Sequence, residues 1–268
     1  MQTKNITSMD ISKEISIVST CPARLFNDKH QGLWRGIQKY YPNVDFYFYH
    51  ENKFEKENTG DYIDFDSLEI PKNYHCYDLF EEYDDLHDFL KTSKFNTCHT
   101  FNKNEMRQGY WKANSLYWFR KTPAILHASK ICKTPLLIFL DADSYITPIG
   151  TGYEDEYTIN DVYIQWAKKH DVLSRNRPGL WTETGHIVFN LEKRGMEFIH
   201  KFYEFYKSGK VFDLYRWDDC WVFDTIMRES DFNNGPLSYT KGAPAPLECI
   251  VDHNKGKWQH LRSSKQGL

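Results

Sequence analysis

The sequence has no long apolar run. Its longest, Leu-Leu-Ile-Phe-Leu at residues 136–140, falls far short of the roughly 20 apolar residues a membrane-crossing helix needs, so no integral membrane segment is expected. Residues 1–13 are polar and carry no apolar stretch of the signal-peptide kind, which makes a cytoplasmic location the expectation. Positive charge is not in excess: 34 Lys and Arg stand against 37 Asp and Glu, for a formal charge of −3. A chain without a global positive field does not gather nucleic-acid phosphates by counterion release, so no nucleic-acid partner is expected. The cysteines, Cys21, Cys76, Cys98, Cys132, Cys220 and Cys249, form no C-x-x-C pair, which argues against a zinc cluster and against a dense disulfide framework. Internal repeats and low-complexity linkers are also missing, and 268 residues suit one large core better than two small ones, so residues 1–268 read as a single domain.

What is present is a core-forming composition, 40% hydrophobic with 18 Tyr, 18 Phe and 8 Trp, far from that of a disordered chain. Residues 15–19 (Ile-Ser-Ile-Val-Ser) read as a strand that stops at Pro22. Residues 32–41 have helical spacing of Leu33, Ile37 and Tyr40 or Tyr41, and residues 44–49 read as an aromatic strand. Strand, helix, strand opens a parallel α/β sheet. Residues 51–100 are rich in Asp, Glu, Lys and Asn and are expected to be irregular, with one or two short helices. Residues 105–130 predict a helix that breaks or restarts at Pro123. It leads into the apolar run at 136–140, which has the length and continuity of a strand covered on both faces. A strand-like piece follows at 186–190, then helices at 197–207 and from Asp218 or Asp219 to Arg228, with a loop-like tail from Gly235.

The buried strand ends abruptly in Asp141-Ala142-Asp143. Residues two apart on an extended strand face one side, so both carboxylates can reach one ion if the strand end bends slightly around it, at the edge where open α/β sheets bind ligands. Two hard oxygen ligands suit Mg2+ or Mn2+, and such an ion neutralises charge gathering on a departing diphosphate. A solvated turn is the bland alternative for an isolated Asp-x-Asp.

Four stretches in order carry a resemblance: Phe119-Arg120-Lys121 ahead of the Asp141-Ala142-Asp143 strand, Glu183-Thr184-Gly185-His186-Ile187-Val188-Phe189-Asn190, Trp217-Asp218-Asp219 with Phe223-Asp224, and Asp252-His253-Asn254-Lys255-Gly256-Lys257-Trp258. Together they resemble glycosyltransferases of the GT-A fold, in particular the families related to glycogenin and to the bacterial lipooligosaccharide galactosyltransferases. The resemblance implies a Rossmann-like α/β sandwich with a mostly parallel central sheet and helices on both faces. It also implies a nucleotide-sugar donor, UDP-linked by default, and a glycan or glycoconjugate acceptor. Asp141 and Asp143 would ligate the metal with His253 as third ligand, and an imidazole among carboxylates favours Mn2+ over Mg2+.

By the same resemblance Lys121 reaches the donor, and Lys255, Gly256 and Lys257 close over the diphosphate. The tail departs from the usual His-x-x-Gly-x-x-Lys-Pro-Trp pattern, which leaves the choice between the two lysines open. Thr20 and Arg24, just past the first strand, are positioned for the nucleotide. Glu183, Thr184 and Gly185 mark the donor-sugar and acceptor side, the glycine letting a sugar lie close to the backbone. Asp218 and Asp219 are expected at the anomeric carbon and acceptor hydroxyl, with helix capping as the competing role for one of them. The overall pattern leans to retention of anomeric configuration. Trp181 and Trp217 are candidate sugar platforms.

Two other readings stay open on the sequence. A strand followed by Asp-x-Asp, with a later lysine and an Asp-Asp pair, also describes a phosphohydrolase of the haloacid dehalogenase type, in which the first Asp attacks phosphorus. A carbohydrate-binding protein that keeps a transferase fold without turnover is the other. The sequence leaves oligomeric state undecided.

Overall fold

Alternation along the strands sorts the apolar residues onto two faces of one sheet. A computed structural model describes residues 10–28, 31–91, 115–146, 159, 161–175, 181–237 and 251–253. Its strands are β1 (Ile15–Thr20), β2 (Asp45–His50), β3 (Tyr74–Asp78), β4 (Leu136–Leu140), β5 (Ser144–Ile146), β6 (Val172–Arg175), β7 (Glu183–Asn190), β8 (Asn234–Pro236) and β9 (Val251–His253). Seven form one sheet in the order β3-β2-β1-β4-β7-β6-β8, while β5 and β9 pair separately. The pairings β1–β2, β1–β4, β2–β3 and β6–β8 are parallel, and β7 runs antiparallel to both β4 and β6.

On one face Ile15, Ile17, Phe46, Phe48, Leu136, Ile138 and Leu140 share a buried cluster; Val18, Tyr47, Tyr49, Leu137 and Phe139 point into another. That is the period-two rule for a doubly covered sheet. Helices α2 (Gln31–Tyr40) and, later in the chain, Asp161–Ala167 cover the first face with Leu33, Trp34, Ile37, Tyr163 and Ile164. The second is covered by Lys121–Ile131, Gly195–Lys207 and Asp219–Arg228. In chain order the helices are α1 (Ala23–Asp28), α2, α3 (Asn52–Asn58), α4 (Leu79–Glu82), α5 (Asp84–Leu90), α6 (Ser115–Phe119), α7 (Lys121–Ile131), α8 (Asp161–Ala167), α9 (Gly195–Lys207) and α10 (Asp219–Arg228). The α/β class, the mostly parallel sheet and the helices on both faces are as expected.

Strong patterns landed within two residues of their predicted bounds: β1, β2, β4, α2, α9 and α10. Pro123 stands in the first turn of α7, where its missing N–H leaves no helical bond unmade; the expected helix before residue 115 lies outside the described residues. Two expectations need correction. Residues 51–100 are not mostly irregular through residue 91, for they hold α3, β3, α4 and α5. β3 is an edge strand, Tyr-His-Cys-Tyr-Asp, buried only at its two ends, so no apolar alternation announces it. The tail is not simply loop, since β8 and β9 fall in it. β8 is Asn-Gly-Pro, with almost no strand propensity. Tertiary contacts hold it: Asn234 Nδ2 donates to Ser174 Oγ at 2.9 Å, and the amide of Leu237 donates to the Ser174 carbonyl at 2.8 Å.

Candidate functional site

The polar groups gather at the carboxyl end of β4. Its antiparallel pairing with β7 runs to the sheet edge, where the Asp141 amide donates to the Gly185 carbonyl at 2.9 Å. The chain then turns, with the Ser144 amide donating to the Asp141 carbonyl at 2.9 Å. Asp141 and Asp143 therefore do not share the face of an extended strand, as the alternation argument supposed; a tight turn past the strand end carries both, and both are partly exposed. β5 leaves this turn and pairs with β9, Ser144 opposite His253. The backbone of His253 is thus one paired position beyond Asp143, although the two lie in distant parts of the chain. The side chains of His253 and Arg24, and the whole of Lys255, Gly256 and Lys257, lie outside the described residues; the backbone of Arg24 is in the first turn of α1.

Lys121, at the start of α7, is the hub. Its ammonium lies 2.7 Å from Asp141 Oδ1 and 2.5 Å from Asp219 Oδ2. Thr184 on β7 donates to the same Asp219 Oδ2 at 2.6 Å, and Asp219 Oδ1 accepts from the Cys220 amide at 3.0 Å. Burial by itself lowers the ammonium pKa, but Asp141 and Asp219 together outweigh it and hold Lys121 above its ordinary value. It is a fixed cation, only 8% exposed, carried by carboxylates from two elements. Asp219 was expected at the reacting carbon; the structure instead commits it to Lys121, Thr184 and its own helix.

Asp218 caps α10. Its carboxylate accepts from the Trp221 amide at 3.3 Å and from Arg216 Nε at 2.7 Å, and the residue is fully buried. Burial pushes the Asp218 carboxyl up, against the opposing hydrogen bond from Arg216. The competing capping role thus describes Asp218, and a carboxylate so enclosed is not presented to an acceptor hydroxyl. Glu183 sits at the edge of β7 with Arg175 Nη1 at 3.0 Å. Thr20 ends β1, and its buried hydroxyl has no hydrogen-bond partner among the described residues. Trp217 is packed edge-on against Phe212 inside the core, so it offers no open ring face for a sugar. Trp181 carries the Arg216 guanidinium 4.0 Å from its ring centroid.

Sequence reasoning missed Arg216. Thr184 was singled out within Glu183-Thr184-Gly185, but nothing in a linear sequence signals its bond to a residue 35 positions away.

The donor chemistry discriminates between two groups of acidic residues. Asp218, Asp219 and Cys220 offer ligand atoms within 4.8 Å of one another. Burial and the Asp219 charge push the Cys220 thiol well up, however, and both aspartates are enclosed, so this trio does not fit a hard divalent cation. The Asp141–Asp143 turn does fit one: two partly exposed carboxylates at a sheet edge, with a histidine-bearing strand paired beside them. No helix among the described residues is long and apolar enough to cross a membrane.

No family model matches the chain, and no curated protein matches it. Among solved structures it is similar in chain course to the glycosyltransferase GlyE of Streptococcus pneumoniae TIGR4, at 12% identity and TM-score 0.43 over 85% of this chain and 45% of that one. It is similar also to the bifunctional IspDF of Campylobacter jejuni, at 11% identity and TM-score 0.39 over 86% and 51%. A third is the galactosyltransferase LgtC in complex with donor and acceptor sugar analogues, at 10% identity and TM-score 0.42 over 90% and 87%. The chain spans about half the length of GlyE and of IspDF. Likeness at this level brings no residue role to this chain.

Proposed function

We propose that this chain is a metal-dependent glycosyltransferase that moves a sugar from a nucleotide-sugar donor to a hydroxyl of a glycan or glycoconjugate. One observation carries the reading: at the carboxyl edge of β4 a turn bearing Asp141 and Asp143 meets the buried cation Lys121, while the strand bearing His253 pairs immediately beyond it. Asp141, Asp143 and His253 would hold Mn2+ or Mg2+, which when bound supplies charge neutralisation to the diphosphate as the glycosidic bond breaks.

The rest is the work of the chain's own groups. Lys121 adds a second, fixed positive charge that needs no reorganisation during the reaction. Asp219 and Thr184 are positioning residues, since they act by holding that ammonium. Thr20, with Arg24, would take the nucleotide, and Lys255, Gly256 and Lys257 would close over the diphosphate. Glu183, the partly exposed carboxylate at the edge of β7, is the group we assign to the acceptor side. Transfer with retention, UDP as carrier and a cytoplasmic setting complete the proposal.

The test is calorimetric titration of nucleoside diphosphates and nucleotide sugars, with and without Mn2+, into the wild type and Asp143→Ala. Metal-dependent binding of one nucleotide, weakened at least about tenfold in the variant, is the expected result. A folded protein that binds none of them and instead releases phosphate from simple monoesters would replace the transferase with a phosphohydrolase.

A further inference from the structure

We infer that Lys121 is a built-in counter-ion of the acidic turn: by holding Asp141 it keeps the affinity for a divalent cation low until a nucleoside diphosphate is present, so that cation and nucleotide are taken up together. The inference rests on the transferase reading above and concerns the regulation of that same site.

The geometry sets one cation where another must act. Lys121 Nζ lies 2.7 Å from Asp141 Oδ1, on one of the two carboxylates of the turn assigned to the metal. This is not a surface lysine that drifts into water. Its side chain is 10% exposed, and Nζ lies 5.4 Å from the ring centroid of Phe139 on β4 and 5.8 Å from that of Trp118 on α6. Asp219, itself buried at the start of α10, holds the ammonium at 2.5 Å. Asp219 is fixed in turn by the Thr184 hydroxyl at 2.6 Å and the Cys220 amide at 3.0 Å. The positive charge is thus pinned by groups from α10 and β7 as well as by the turn, and salt screens a charge so enclosed far less than an exposed one.

That one charge acts with opposite sign on the two ligands of the site. A divalent cation entering at the Asp141–Asp143 turn meets a fixed ammonium already bound to one of its carboxylates, and carboxylate sites weaken as their net negative charge falls. A diphosphate meets the same ammonium as an attraction. Its oxygens return to the turn the negative charge that Lys121 offsets, and metal and nucleotide then raise each other's affinity by the same factor, as linkage requires. Asp219 sets the balance: by drawing the ammonium towards α10 it leaves Asp141 part of its charge. Two carboxylates without such a lysine would load with metal whether or not nucleotide was there.

Mn2+ binding to the full chain, read from the EPR signal of the unbound aqueous ion, tests this, with the metal titrated alone and with each of UDP, GDP, ADP and CDP. The wild type should bind Mn2+ alone at least about tenfold more weakly than with the diphosphate it accepts. Lys121→Met should bind Mn2+ alone at least about tenfold more tightly than the wild type, and the diphosphate at saturating Mn2+ about tenfold more weakly. Adding Asp143→Ala should abolish the gain, which places the ion at the turn. Asp219→Asn should move both affinities the other way, towards weaker metal and tighter diphosphate. Damage to the fold lowers every affinity and does not mimic a gain; urea midpoints are measured beside the wild type, and if Lys121→Met fails to fold, the wild-type comparison and Asp219→Asn carry the test. Mn2+ bound by the wild type as tightly alone as with the diphosphate, or a folded Lys121→Met that binds Mn2+ alone no more tightly than the wild type, would overturn the counter-ion and leave the transferase standing. If none of the four diphosphates binds with Mn2+ present, the transferase reading falls and the counter-ion role with it.

Discussion

Lys121 shows how much of a residue's role depends on partners the sequence does not display. Its place ahead of the apolar strand was legible, and the resemblance that strand supports made it a candidate. The carboxylate that fixes it was not legible, because Lys121 and Asp219 are 98 residues apart. Removing a buried ion's partner leaves uncompensated charge, which typically costs about 3–5 kcal/mol. Lys121→Met should therefore lower the unfolding free energy by an amount in that range, read as a lower urea midpoint at unchanged slope, even with no ligand present. A variant as stable as the wild type would show that Asp141 and Asp219 do not depend on the ammonium. Thr184→Val removes one donor to a charged acceptor and should cost about 1.5–3 kcal/mol, with Thr184→Ser close to neutral. Asp218 reads from sequence as either catalyst or cap, and only the bond to the Trp221 amide at 3.3 Å decides between them.

Elements announced themselves in proportion to their periodicity. β4 is an unbroken apolar run, and α9 presents Phe198, Ile199, Phe202, Tyr203 and Tyr206 to the core at helical spacing. β3 and β8 carry no such signal, since one lies at an edge and the other is held by side-chain bonds from β6. The start of α9 carries a constraint that propensity alone would misjudge. Ala is a better helix former than Gly by about 1 kcal/mol, yet a Cβ on Gly195 would stand 2.5 Å from the Asn190 carbonyl oxygen and 2.7 Å from its nitrogen. Backbone atoms cannot rotate away, so Gly195→Ala should destabilise by about 1–3 kcal/mol; a raised Tm would show that the end of β7 yields. At α10 the cap can be separated from the charge. Asp218→Asn keeps an acceptor for the Trp221 amide and loses the ionic partner of Arg216, whereas Asp218→Ala loses both, so the alanine variant should be less stable by about the 1 kcal/mol of a cap.

At the scale of the whole molecule, two enclosed histidines set the response to acid. Burial, aided by the Arg175 charge, pushes His186 down to about 3, and burial pushes His50 down to about 4 against the opposing pull of Asp78. An unfolded histidine titrates near 6.5. Between these values and about pH 6.5 the unfolded chain binds protons that the folded chain refuses, so stability rises with pH through that window and is lost as pH falls. The slope is at most about 1.4 kcal/mol per pH unit for each group. The urea midpoint should thus hold steady from pH 8 to 7 and decline from about 6.5 towards 4, and His186→Gln should flatten part of that decline. An unchanged profile in the variant would mean that His186 is protonated in the folded state. The sequence by itself determined the α/β class, the buried central strands and the identity of the acidic turn, because period-two and period-3.6 patterns and the end of an apolar run are local properties. Tertiary structure alone decided that Asp219 serves Lys121, that Asp218 is a cap, that Trp217 belongs to the core and that the His253 strand pairs beside Asp143. Each of these depends on which distant segments meet at one sheet edge, and one-dimensional order carries no record of that meeting.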